Sequence, residues 1–230
     1  MEKEAAETDL AGYCRLYDRT IKVEEELMKK NDVVTLSMAE RRAEGLLWVD
    51  TGENMNQQVY ARGLCQDFNH TRATETEKRE EILKKLLAFC GENVWIEPPL
   101  TLAMGKTVSI GNGTYINSNL TLVDDYEIII GDKVLIAPNV TMSTTNHPMH
   151  YMARSHGEMY CKKVVIEDNV WIGSNVVICA GVTVGKGSVI GAGSVVTRDI
   201  PPMCFAAGSP CKVIRKITDD DLKEFEPIPE

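Results

Sequence analysis

One apolar position returns every six residues between positions 108 and 197. Ile110, Ile116 and Leu122 keep the step. After a slip of two residues, Ile130, Ile136 and Met142 resume it. After a longer break, Ile166, Ile172, Ile178, Val184, Ile190 and Val196 complete it. A second apolar residue often stands two positions earlier, as at Val108, Val134, Val164 and Val182, and glycine follows the apolar residue at Gly111, Gly131, Gly173, Gly185 and Gly191. Such a step fits neither the helical period of about 3.6 nor a plain strand alternation. A short repeat held in phase points to stacked units, and a hexapeptide repeat to a parallel β-helix. Each unit would form one short strand and a tight corner, its two apolar side chains pointing inward with one residue between them. Three units would close a triangular coil, and glycine at the corner would supply backbone angles that other residues avoid. A β-sandwich with frequent turns is the alternative, but nothing in a sandwich holds a six-residue step in phase.

The repeat, together with the phrases TLVDDYEIIIGDKVLIAPNV, TTNHPMH, NVWIGSNVVI and IPPMCFAAGSPCKVIR, resembles the galactoside and maltose O-acetyltransferases, a family of left-handed β-helix acyltransferases. The resemblance covers about residues 38–217 and includes the phrase DFNHTRATETEKRE. It implies a mainly β fold: a left-handed parallel β-helix with an N-terminal helical segment and a long extruded loop. The left hand rests on the resemblance alone. It also implies acetyl-CoA as co-substrate, a hydroxylated small molecule of the sugar type as acceptor, and a homotrimer with active sites between subunits.

Composition narrows the choice of partners. The chain of 230 residues carries a net charge of -9, which argues against nucleic acid as the main ligand. Its apolar runs fall short of a membrane span. The first residues, MEKEAAETDL, lack the apolar core of a signal peptide, so a cytoplasmic protein is expected. The seven cysteines show neither a CxxC pair nor finger spacing, which suits reduced thiols in or near a core.

Four regions follow. Residues 1–37 carry Leu10, Tyr13, Cys14, Tyr17 and Ile21 at helical spacing. The resembling family begins near Met38, so this piece reads as a helical extension or as a start placed too far upstream. Residues 38–93 form a helical, acceptor-side segment. Ser37 and Glu40 make a capping box for a helix running to about Leu47, TGEN is a turn, and residues 56–67 form a second helix. Thr74 and Glu77 cap a third helix from Glu75 to Phe89, stopped by Gly91. Residues 94–217 are the coil, interrupted by residues 143–163. The apolar phase before and after that break differs by a multiple of six, so the break is a loop extruded between coils. Residues 218–230 form a tail with a short helix capped by Asp219.

The loop holds three of the four histidines. His147, followed by Pro148, suits a general base, since neutral imidazole takes a hydroxyl proton near pH 7; the resemblance implies this role for the His of TTNHPMH. His150 and His156 read as ordinary loop residues. The resemblance implies that Asn117 binds the acceptor and assists the reacting groups, although an Asn also suits a coil corner. It implies acceptor contacts for Asp50, Tyr115, Asp125 and Met159; Asp124 and Asp125 together also read as a solvated corner. Gln58, ten residues before Phe68, stands where family members carry an Arg, and Gln cannot make a charged contact. On the donor side, the resemblance implies that the Ser174 N–H supports the thioester oxygen. Trp171 would pack a coil corner and shape the donor groove, with Ala192, Thr197 and Arg198 along the coil edge. Lys212 and Arg215, clustered with Arg198, Lys216 and Lys186, would meet the phosphates of coenzyme A. Gly191, Ala192 and Gly193 would let the pantetheine arm lie against the backbone.

Rival classes remain. The acceptor is a sugar hydroxyl or a hydroxylated antibiotic or other xenobiotic. A zinc hydratase on the same coil needs three His ligands, and the repeat regions 108–142 and 164–196 contain no His; no metal is expected. A non-enzymatic scaffold would use the coil faces for assembly.

Overall fold

A computed structural model describes residues 36–224 of the chain. The helix expected around Leu10–Ile21 lies outside the described residues. Contacts divide the chain into two units, Met1–Glu40 and Arg41–Glu230, and the coil and its helical cap lie in the second. No helix among the described residues is long and apolar enough to cross a membrane.

The repeat builds a three-faced parallel coil. The first sheet stacks β1 (Phe89–Cys90), β4 (Val108–Ile110), β7 (Ile128–Ile130), β12 (Val164–Ile166) and β15 (Thr183–Val184). The second stacks β2 (Trp95–Ile96), β5 (Tyr115–Ile116), β8 (Leu135–Ile136), β13 (Trp171–Ile172), β16 (Val189–Ile190) and β18 (Cys204–Gly208), with β19 (Cys211–Lys216) returning antiparallel to β18. The third stacks β3 (Leu100–Leu102), β6 (Leu120–Val123), β9 (Thr141–Ser143), β14 (Val177–Ile178) and β17 (Val195–Val196). The chain passes from first to second to third sheet and back. Ile172, between Ile136 and Ile190, is fully buried, whereas Trp171 beside it stands outward and 51% exposed. This strict inward–outward alternation makes the six-residue step visible as chemistry.

Coil length changes along the stack. Ile110 lies opposite Ile130 and Ile116 opposite Ile136, a coil of 20 residues. Ile166 lies opposite Val184 and Ile172 opposite Ile190, a coil of 18. The two extra residues of each early coil fall at one corner only, between the third sheet and the first, where Leu102 leads to Ile110 and Leu122 to Ile130.

The glycines after the apolar residue serve a different purpose from the one expected. Gly111, Gly131, Gly173, Gly185 and Gly191 are absent from the residues with positive φ. They are small because the next coil lies against them. A Cβ on Gly173 would stand 2.7 Å from the Ala192 nitrogen, and one on Gly131 only 2.6 Å from an Asp168 carboxylate oxygen. The left-handed residue comes two positions later, at Gly113, Lys133, Asn175, Gly187 and Gly193. Asn and Gly dominate there because they tolerate that conformation best.

Three helices precede the coil: α1 (Met38–Ala43), α2 (Gly52–Asn69) and α3 (Thr76–Leu86). The Ser37–Glu40 capping box forms, with the Glu40 N–H donating to Ser37 Oγ at 3.2 Å and the Ser37 N–H to the Glu40 carboxylate at 2.8 Å. The helix ends at Ala43, short of Leu47, because Gly45 takes φ +68° and Trp48 joins an extended bridge to Met159. The second helix starts at Gly52, before residue 56. TGEN is its cap and first turn, closed by a reciprocal box between Thr51 and Asn54. The third helix lacks the Thr74 cap. Glu75 sits at the N-cap without a side-chain cap bond, and its carboxylate accepts the Arg72 N–H at 2.7 Å instead. It stops at Leu86, because Phe89 and Cys90 pair with Ser109 and Ile110 as the first coil strand. The coil therefore begins at Phe89, earlier than residue 94. At the other end Asp219 is the first residue of a 3-10 helix, Asp219–Glu224, and not its cap.

Ala61, Cys65 and Phe68 of α2 and Ile82, Leu83 and Leu86 of α3 join the coil interior in one core. Asn69 closes the open edge of β3: its amide donates to the Leu100 carbonyl at 2.9 Å, and its oxygen accepts the Leu100 N–H at 2.7 Å. The helices thus cover an edge that would otherwise expose unpaired backbone groups.

Two substitutions separate the two classes of glycine. Gly173→Ala forces a Cβ into the Ala192 backbone and should cost about 1–3 kcal/mol. Gly193→Asn fills open space at a conformation that Asn175 already adopts in the coil beneath it, and should change stability by about 0.5 kcal/mol or less. Urea unfolding of the two variants beside the parent chain measures both.

Candidate functional site

The lengthened corner between the third and first sheets gathers the chemistry. It carries three successive insertions: residues 103–107, residues 123–127, and the loop of residues 143–163. Asp124, with no exposed surface, ties the second to the first. Its carboxylate accepts the N–H groups of Ala103 at 2.6 Å, Met104 at 3.1 Å and Gly105 at 2.7 Å, and the Thr107 hydroxyl at 2.7 Å. Burial pushes its pKa up, and the four donors pull against that rise.

Asp125 is 7% exposed, and the Thr145 hydroxyl donates to its Oδ2 at 2.5 Å. The reading of Asp124 and Asp125 as a solvated corner is therefore excluded: one carboxylate braces the backbone and the other turns to the loop. Thr145 begins β10 (Thr145–Asn146), which pairs antiparallel with β11 (Tyr160–Cys161). The loop is thus anchored by a ladder at its base. Its returning strand also exchanges two backbone hydrogen bonds of 2.9 Å between Met159 and Trp48. Two residues beyond Trp48 stands Asp50. Burial, and then the nearby Asp125 carboxylate, raise the Asp50 pKa, while Gln58 and Arg42 work to lower it. The Gln58 amide reaches Asp50 Oδ1 at 3.5 Å, and Arg62 in turn reaches the Gln58 oxygen at 3.4 Å.

His147 follows β10 directly. Its Nδ1 lies 2.8 Å from the Glu158 carbonyl oxygen, which can only accept. Nδ1 therefore carries the proton, and Nε2 keeps its lone pair. His150 caps the 3-10 turn Tyr151–Arg154, and His156 pairs with Glu158 at the surface. Arg154 holds the loop closed by donating to the Pro148 and Met149 carbonyls.

His147, Asp50, Asp125 and Met159 are thus brought to one edge. Asn117, Ser174 and Ala192 stand at another, the corner between the second and third sheets, and Tyr115 and Trp171 face outward from the second sheet. Strand β6 alone separates the two edges by roughly 13 Å at ~3.3 Å per residue. One chain therefore does not bring Asn117 and Tyr115 to His147, and Trp171 does not pack a corner. At this second edge the Asn117 oxygen accepts the Ser118 N–H at 2.8 Å, so the side-chain amide points outward unbonded. Ser174 and Ala192 stack in successive coils, and neither backbone N–H has a partner among the described residues.

Two cations of the expected basic cluster are already paired. Lys186 pairs with Asp168 at 3.3 Å, and Arg198 stands with Thr197 at the exposed corner after β17. Lys212 is exposed on β19. Arg215 on the same strand grips Asp221 with two bonds of 2.9 and 2.7 Å, which lower the Asp221 pKa to about 2. Lys212 is left as the uncommitted cation of the pair.

Sequence reasoning missed Thr145, Glu158, Trp48 and Arg42. Thr145 lies inside TTNHPMH and had a signal in that phrase. Glu158 matters through its backbone carbonyl, which meets His147 within the loop, and Trp48 and Arg42 matter only because the returning loop meets the segment after α1. Among the described residues, no group of three or more His, Cys, Asp or Glu side chains could hold a metal ion.

Comparison with known proteins fits this geometry. The family model for the bacterial transferase hexapeptide (six repeats) matches residues 163–198, and that for the maltose acetyltransferase hexapeptide capping motif matches residues 49–91. The galactoside O-acetyltransferase of Escherichia coli (strain K12) is 51% identical over 189 residues, covering 82% of this chain and 93% of its own length. That of Lactococcus lactis subsp. lactis (strain IL1403) is 48% identical over 171 residues, covering 74% and 83%. Among solved structures, a galactoside acetyltransferase in complex with coenzyme A superposes with a TM-score of 0.80 at 50% identity, over 81% of this chain and 94% of its own. A maltose O-acetyltransferase from Clostridium difficile 630 superposes with a TM-score of 0.77 at 38% identity, over 80% and 98%.

Asp124 gives the site its first test. Asp124→Ala orphans three backbone N–H groups, while the Thr107 hydroxyl keeps the main-chain carbonyl of residue 124. At about 1–3 kcal/mol per stranded buried donor, it should destabilise the chain by about 3 kcal/mol or more. Asp124→Asn keeps one acceptor oxygen and should cost less. Chemical denaturation of both variants reads the difference.

Proposed function

Because this chain belongs to the galactoside and maltose O-acetyltransferases, a family of hexapeptide-repeat acyltransferases, we propose that it transfers the acetyl group of acetyl-CoA to a hydroxyl of a galactoside- or maltose-type sugar, with His147 as general base. The class of reaction, acyl transfer from acetyl-CoA, is that of the family. The acceptor and the residue roles are our reading.

The observation that carries it is the His147 ring. The Glu158 carbonyl fixes the proton on Nδ1, so Nε2 is the atom that receives the acceptor's hydroxyl proton. The hydroxyl oxygen then attacks the thioester carbonyl directly, with no acyl-enzyme. The oxyanion of the tetrahedral intermediate takes a hydrogen bond from the unpaired Ser174 N–H, a contact typically worth about 10²–10³ in rate. The C–S bond breaks, and Nε2 returns the proton to the departing sulfur. The products are the O-acetyl sugar and free coenzyme A. The free N–H of Ala192 suits an amide carbonyl of the pantetheine arm, and Lys212 suits a phosphate. Asp50 and Asp125 accept hydrogen bonds from sugar hydroxyls.

Base and donor groove lie on different edges of one coil, so the reaction needs a second chain. We infer a homotrimer in which the His147 edge of one subunit meets the Ser174 edge of its neighbour, bringing Asn117 and Tyr115 to the acceptor across the interface.

A screen of sugars and hydroxylated antibiotics with acetyl-CoA, following thiol release, tests reaction and acceptor together. His147→Ala should lower turnover by roughly 10²–10⁴ and leave coenzyme A binding by calorimetry close to the parent value. Turnover that stays near the parent value removes His147 from the role. Mixing His147→Ala chains with Ser174→Pro chains should restore part of the activity that each assembly lacks. A fully active monomer by light scattering would overturn the shared site.

A further inference from the structure

Arg42, in the last turn of α1, is half-buried, yet its guanidinium makes no hydrogen bond to any described residue. Its central carbon lies 5.2 Å from the centre of the Trp48 ring. Nη1 is shut off from solvent and has no partner. Arg41, the residue before it, donates through Nε to the Leu47 carbonyl at 2.6 Å, and even Arg79, whose Nη1 is likewise buried without a partner, donates through Nε to the Thr71 hydroxyl at 2.8 Å. The Arg42 plane is therefore fixed by stacking on an indole while its donors stay uncommitted. The remaining donors of this half-buried side chain, unpaired among the described residues, are the ones a ligand oxygen can meet.

The surroundings say what that ligand is. Trp48, beneath Arg42, is bonded through its backbone to Met159 of the loop. Asp50 follows two residues later, within electrostatic reach of both Arg42 and Asp125. Asp125 is held by Thr145, and Thr145 reaches Cys161, whose thiol also feels Arg42. The edge thus presents two carboxylates that accept and, in Arg42, a guanidinium that donates, Arg62 being turned to the Gln58 oxygen. A sugar hydroxyl does both at once, donating to a carboxylate and accepting from a guanidinium. An anionic sugar would gain one cation but face two carboxylates, so the charge count favours a neutral polyol.

We propose that Arg42 is an acceptor-binding residue that supplies, from α1, the charged contact to a neutral glycoside that Gln58 of α2 cannot make. The proposal rests on the sugar-acetylating reading above and deepens it. Gln58 hydrogen-bonds Asp50, and the Arg42 charge acts on the same carboxylate. The cation of this pocket has in effect changed helices.

Steady-state kinetics test it, with acetyl-CoA and the neutral glycoside that the parent enzyme acetylates best. Arg42→Met keeps a stem to cover Trp48 and removes the donors. Its acceptor KM should rise roughly tenfold or more, while kcat and the acetyl-CoA KM stay within about threefold of the parent. Adding Gln58→Arg to that variant should recover a substantial part of the lost acceptor affinity. Arg42→Lys, which keeps charge and stem but loses the planar fork, should raise the acceptor KM about threefold or more, and carries the test if Arg42→Met does not fold. An unchanged acceptor KM in the variant that folds overturns the proposal. So does a parallel loss of acetyl-CoA and acceptor affinity with a lowered melting temperature and no rescue by Gln58→Arg, which would make Arg42 a structural prop. A parent enzyme that acetylates uronic acids better than neutral glycosides overturns the choice of ligand. A parent enzyme that acetylates no glycoside at all defeats the sugar-acetylating reading itself, and is told apart by being seen before any variant is made.

Discussion

The closeness of one coil to the next governs this molecule. Backbone hydrogen bonds between coils run along all three faces, and at the corners the chains approach until no Cβ fits. Glycine at positions such as 131 and 173 is therefore a condition of stacking and not a source of flexibility. Once stacking is secured, Ile110, Ile130, Ile166 and Val184 fall over one another without any need for helix packing. The coil interior is then a column of aliphatic side chains whose alignment follows from backbone register.

Stacking leaves the corners as the places where the chain can lengthen. Two corners hold a strict length, and the third accepts two residues, then two, then a whole loop. Each insertion is braced on the last: Asp124 gathers the N–H groups of the corner before it, and Asp125 takes the hydroxyl of the loop after it. The His147 edge is therefore built outward from a register that the insertions never disturb. The Ser174 edge obeys the opposite rule. Small residues at a corner of fixed length leave the Ser174 and Ala192 N–H groups bare.

Much of this was legible in the amino-acid order, because a coil writes its geometry locally. The six-residue phase named the strands, the slip of two residues marked the lengthened corner, and the loss of phase marked the loop with His147. Other features were read wrongly or not at all. The glycines were read as left-handed residues, since one position in a repeat does not say whether conformation or crowding demands it. The third helix was carried to Phe89, because the partner of Phe89 and Cys90 lies a full coil away. Arg42 gave no signal, because its meaning comes from Trp48 and Asp50 meeting the returning strand at Met159. The resemblance already implied sites shared between subunits, but that Asn117 stands with Ser174 on the edge away from His147 follows only from counting corners.

The bridge between Trp48 and Met159 has a bearing on how the chain folds. Coil contacts join residues about one turn apart, so the stack can zip along the chain with little loop entropy at each step. The bridge instead closes a span of more than a hundred residues, most of which must already be coiled. Loop entropy therefore favours closing the His147 edge after the coil has formed. A chain arrested before that closure would own a stable coil and a bare Ser174 corner, yet no ordered edge around His147.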